Sequence, residues 1–112
     1  MEREFPDDEN GDVLRRMLLN GDDLSSPRDI DFSIIFPHEN SAMLFAERII
    51  PDFDKVSHSE METTQSLKWE VTVTRHMLPT HGGITEIEEF LAGAATPLGG
   101  KNDGWGCFNI IS

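Results

Sequence analysis

The chain predicts an α+β fold, with one four-stranded antiparallel sheet, two helices on one face of it and a short extra helix ahead of them. Three observations predict it. Residues 30–36 and 67–76 alternate apolar and polar side chains with the period of a strand. Residues 42–50 and 84–94 carry apolar side chains at the spacing of a core-facing helix. Pro37, Pro51, Pro79 and the pair Gly99-Gly100 punctuate the chain between these segments.

Taken in order, residues 1–11 are acidic, with one Pro and one aromatic, and are expected to form a disordered or loosely attached lead. The single domain is expected over 12–112. Val13, Leu14, Met17 and Leu18 share one helix face, with Asn10 or Asp12 suited to the start and Gly21 to the position past the end. In the first strand Ile30, Phe32, Ile34 and Phe36 point one way and Asp31, Ser33 and Ile35 the other. The second helix buries Ala42, Phe45, Ala46, Ile49 and Ile50, with Glu39 in its first turn and Arg48 in its last, as the helix dipole favours. Residues 53–61 form a weak strand whose polarity suits an edge. A turn at 62–66 joins it to the clearest strand of the chain, where Leu67, Trp69, Val71 and Val73 alternate with Lys68, Glu70, Thr72 and Thr74.

The last helix carries Ile84, Ile87, Leu91 and Ala94 on its stripe. Thr80 is the preferred cap, with a box of Thr85 and Glu88 as the alternative start. A final strand is expected from about Trp105 to Ile111. The order after the first helix is β-α-β-β-α-β, the ferredoxin-like arrangement. Its first and third strands have the best apolar faces and are expected at the centre, parallel to each other, with the second and fourth as edges. The face away from the helices shows Asp31, Ser33, Ile35, Lys68, Glu70, Thr72, Thr74 and His76. Whether the first helix covers that face or an edge is open.

Composition bounds the function. At 112 residues the chain has the size of one domain. Asp and Glu outnumber Lys and Arg 21 to 9, for a net charge of −12. Such a surface repels phosphate backbones and argues against direct nucleic-acid binding. It suits a basic protein partner steered in by charge. One cysteine, Cys107, rules out an internal disulfide and a multi-cysteine zinc site. No apolar run approaches the roughly 18 residues that span a membrane, and the acidic N-terminus is unlike a signal peptide. A cytoplasmic protein is expected.

No catalytic or metal site and no cofactor is expected. His76 and His81 are separated by Pro79 and share no helix face. Cys107 has no accompanying nucleophile signature. Neither glycine pair sits in a phosphate-binding context, and Glu86, Glu88 and Glu89 suit a solvated helix start.

The most distinctive run is Asn102-Asp103-Gly104-Trp105-Gly106-Cys107-Phe108, where two glycines flank one of the two tryptophans. Together with the element order and the approach from Leu78 to Leu91, it resembles the end of the RraB-type proteins, regulators of ribonuclease E activity. The resemblance covers roughly residues 12 to 111, and its specific part is Asp103-Gly104-Trp105-Gly106. It implies a ferredoxin-like fold, no catalysis, and a protein partner, an RNase E-like endoribonuclease. Asp103, Gly104, Trp105, Gly106 and Phe108 are its motif residues and candidate partner contacts. This chain differs from the best-known form in having no long acidic tail after the last strand. A homo-oligomer is compatible with the sequence. The alternative is a dimeric ferredoxin-like module that senses a small molecule through its open sheet face.

Overall fold

The computed structural model describes residues 7–60 and 69–107. Within them the order is helix α1 (Glu9–Leu19), strand β1 (Arg28–Phe36), helix α2 (Glu39–Ile49), strand β2 (Lys55–Glu60), strand β3 (Trp69–Met77), helix α3 (His81–Ala95) and strand β4 (Lys101–Gly106). Single 3-10 turns, Ile50–Asp52 and Thr96–Leu98, extend α2 and α3. The sheet order is β2-β3-β1-β4, so β1 and β3 are central and β2 and β4 are edges.

All three pairings are antiparallel. The expectation that β1 and β3 run parallel is therefore wrong. The α2 crossover brings β2 back in the direction of β1, with one strand position left between them, and the chain then reverses to fill that gap with β3. The central pair must oppose each other.

The core lies where the alternation put it. Ile30, Phe32, Ile34 and Phe36 of β1 and Val71 and Val73 of β3 are buried against Ala42, Phe45, Ala46 and Ile49 of α2 and Ile84, Ile87, Leu91 and Ala95 of α3. Fully burying side chains of this kind contributes about 1.5–3 kcal/mol each before the entropy of ordering is counted. Phe36 and Phe45 meet with ring centroids 5.1 Å apart. Gly100 is held close to this pair, since a Cβ there would collide with the Phe36 ring and with Ala95. Ile50 is the exception to the predicted stripe. It begins the 3-10 turn, where the tighter winding rotates it away from the core, and it is exposed.

Several boundaries differ from expectation. Helix α1 begins at Glu9 because the Asp8 side chain caps it, accepting from the Gly11 amide at 2.8 Å. Helix α3 starts at the preferred position, with Thr80 accepting from the Gly83 amide at 3.1 Å. Strand β4 starts at Lys101, four residues before the expected Trp105, because its pairing with β1 continues across a register shift opposite Phe32 and Ile34. Gly104, with φ of 104°, supplies the left-handed backbone there. The expected turn at 62–66, Leu67 and Lys68 of the third strand, and residues 108–111 of the last strand lie outside the described residues.

Helix α1 packs against α3, on the β4 side of the sheet, and not over the open face. Leu14 is its fully buried anchor.

Candidate functional site

The candidate site grows from the junction of α1, α3 and β4. Helix α1 delivers one polar side chain to it, Asn10, and α3 and β4 deliver two each. The Trp105 indole N–H donates to Asn10 Oδ1 at 2.9 Å. The Asn10 amide donates to Thr85 Oγ1 at 3.2 Å and to Glu88 Oε1 at 2.7 Å. The second oxygen of Glu88 accepts from the Asn102 amide at 2.8 Å. Asn102 Oδ1 in turn accepts from the Gly104 backbone amide at 3.0 Å, which fixes the bulge. At the far end, His81 meets Asp8 at 2.8 Å. The Gly11 amide, followed by the His81 contact, holds the Asp8 carboxyl below its ordinary value.

Beside these contacts lies a groove of about 360 Å³ lined by Glu9, Val13, Glu88, Asn102, Asp103, Gly104 and Trp105. Its lining carries three carboxylates and no basic side chain. Of the motif residues, Asp103 and Gly106 are exposed, and Gly104 and Trp105 are half-buried. Trp105 lies opposite Phe32 and rests against the core with its ring while its N–H reaches α1. The structure thus brings Asp103, Gly104 and Trp105 together on one groove and turns Gly106 to the pairing with Asp31. Phe108 lies outside the described residues.

The open sheet face is mostly polar, and three pairs of its side chains meet across the strands. Ser33 donates to Glu70 at 2.5 Å, Thr74 donates to Asp31 at 2.6 Å, and His76 contacts Asp29 at 2.9 Å. Cys107 sits at one end of this face in a depression of about 370 Å³ with Asp29, Asp31, Lys55 and Thr74. Burial pushes its thiol up, against the opposing pull of Arg28, so it is a poor nucleophile at neutral pH. Among the described residues no group of three His, Cys, Asp or Glu side chains is placed to hold a metal ion. No helix among them is long and apolar enough to cross a membrane.

Sequence reasoning missed two constellations. By sequence Asn10 is one of two cap candidates and Glu88 a solvated acid or the capping-box partner of Thr85, whereas together they bind three elements. The partners of Asn10 are 75 to 95 residues away in sequence and those of Glu88 are 78 and 14 away, so no local spacing marks them. The second is the buried ion pair of Arg28 and Asp22 at 2.8 Å. Arg28 also donates to the carbonyls of Asp23 and Ser26. It fastens the loop after α1 to the start of β1. An Asp and an Arg six residues apart across a turn carry no sequence signature of such burial.

Compared with known proteins, residues 7–107 match the model of the family described as Regulator of ribonuclease activity B. No curated protein matches the chain.

Proposed function

Because this chain belongs to the RraB family of ribonuclease regulators, we propose that it controls RNA turnover by holding a ribonuclease E-type endoribonuclease through its acidic surface. Members of the family regulate ribonuclease E activity and are not enzymes. The observation that carries the charge-based part of this reading is the net charge of −12. A protein of that charge approaches basic segments quickly and is repelled by the RNA the enzyme cuts. It therefore acts on the enzyme and not on the substrate. The matched region takes in every described helix and strand, so the whole domain, α1 included, is the working unit.

In this reading Asp103, Gly104, Trp105 and Gly106 have divided roles. The glycines shape β4, Trp105 holds α1 in place, and Asp103 adds its exposed charge to the acidic surface. The protein works in the cytoplasm, where its target meets RNA, and one copy suffices, self-association being opposed by like charge.

The test is a cleavage and binding assay with purified full-length ribonuclease E and a labelled RNA. Added protein should slow cleavage and bind the enzyme at about 0.1 M salt. Binding should weaken strongly at about 0.5 M, where the screening length falls to a few ångströms. Cleavage and binding that ignore the protein would refute the function. Binding that ignores salt would refute the electrostatic account of it.

A further inference from the structure

The two edges of the sheet are treated in opposite ways. At β4 the strand is bulged at Asp103-Gly104, and α1 is tied to it through Trp105. Both are devices that keep an edge from pairing with another chain. At the other edge, β2 pairs with β3 in unbroken register from Lys55 opposite Thr74 to Glu60 opposite Trp69. It has no proline and no bulge, and its charges, Lys55 and Glu60, stand at its two ends. Five of its six residues are exposed, Val56 being the half-buried one. Such a strand presents a row of outward N–H and C=O groups.

An apolar slot runs beside that edge on the helix side. It has a volume of about 180 Å³ and is formed by Met43, Ala46 and Ile50 of the α2 region with Val56 of β2, flanked by Glu47 and His58. Met43 is 42% exposed and Ile50 54%. Among the described residues, large apolar side chains thus stand exposed along a strand edge that nothing covers. That combination fits β-strand addition, in which main-chain bonds supply affinity and a pocket for alternate side chains supplies specificity.

We propose that β2 is a docking edge, on which an extended, basic segment of the ribonuclease partner adds to the sheet as a fifth strand. This rests on the family reading above. Backbone pairing requires the segment to be extended. The slot requires an apolar residue on its helix-facing side, with alternate residues turned to the polar sheet face. The charge of −12 favours a basic segment, and it disfavours a second copy of the chain as the occupant.

The experiment uses the full chain, isotope-labelled, with purified full-length ribonuclease E as the probe. Amide exchange is measured with and without the enzyme. Alternate amides within residues 55–60 should become protected on binding. Met43→Lys and Ile50→Lys, at exposed positions that leave the fold intact, should each weaken binding about ten-fold. Leu19→Lys, the same charge change at an 82% exposed position on α1, should leave it unchanged. Binding that persists with the β2 amides unprotected, or with both slot variants at wild-type affinity, overturns the docking edge and leaves the family reading standing. Protection of β2 in the chain alone, rising with concentration and accompanied by a dimer in sedimentation, assigns the edge to a second copy and overturns the proposal. Failure to bind the enzyme at all removes the family-based reading and this inference with it.

Discussion

The junction of α1, α3 and β4 lends itself to a double-mutant cycle on Trp105 and Asn10. Trp105→Phe keeps an aromatic ring against the core but removes the N–H that reaches Asn10 at 2.9 Å. A net hydrogen bond of this kind contributes about 0.5–1.5 kcal/mol, so the variant should lose about 1 kcal/mol, with a little more for the smaller ring. Asn10→Ala removes that acceptor and also the donor to Thr85 and Glu88. A bond to a charged carboxylate contributes about 1.5–3 kcal/mol, and the second variant should lose about 3 kcal/mol. The double variant loses the shared bond only once. It should be about 1 kcal/mol more stable than the sum of the two losses predicts. Urea melts followed by far-UV circular dichroism measure this, since fluorescence would change with the loss of one tryptophan. In a domain of this size each kcal/mol moves the melting temperature by about 4–8 °C. Losses that add to within about 0.3–0.5 kcal/mol would refute the claim that this bond joins α1 to β4.

Two further outcomes follow from the other polar contacts. Asp22→Ala leaves the buried Arg28 guanidinium without its carboxylate and should cost about 3–5 kcal/mol in a denaturant melt; a loss under about 1 kcal/mol would mean that the Asp23 and Ser26 carbonyls suffice. The Asp8 carboxyl is held below its ordinary value by the Gly11 amide and His81, so its folded value lies below its unfolded one. Its contribution is present at neutral pH and is lost as pH falls through the folded value, below the 3.8 of a free side chain. Acid titration followed by the Gly11 amide resonance should show the start of α1 loosening in that range, and Asp8→Asn should abolish the transition while leaving the sheet resonances in place.

The fold was legible because its signals are local. Strand alternation in 30–36 and 69–76, the stripe of α2 and the Thr80 cap depend on residues within a turn or two of each other. The errors came where geometry acts over longer distances. Ile50 fits the helical stripe by spacing, yet the 3-10 turn rotates it outward. Residues 101–104 have the composition of a turn, but the bulge at Gly104 lets them pair with β1. Strand order does not imply strand direction, and the parallel central pair was an error of topology, not of pattern. In the candidate site, Asp103 to Gly106 stood out as a motif, while Asn10 and Glu88, which give Trp105 its position, were invisible because the fold alone brings them together.

That division clarifies what the motif is for. The family resemblance makes Trp105 a candidate partner contact. In the fold its N–H is spent on Asn10, its ring on the core, and the preceding glycine on a bulge. All three uses close one edge of the sheet. A four-stranded antiparallel sheet has two edges, and a monomeric protein has reason to protect both. Here one is protected by the most distinctive residues in the chain. The other is an unbulged strand beside an exposed apolar slot. Closing β4 leaves β2 as the one place among the described strands where another backbone can add. On this argument the motif contributes to recognition indirectly, by making the choice of edge unambiguous. Substitutions in it should then disturb α1 and stability first, whereas substitutions along β2 and Ile50 should disturb binding first.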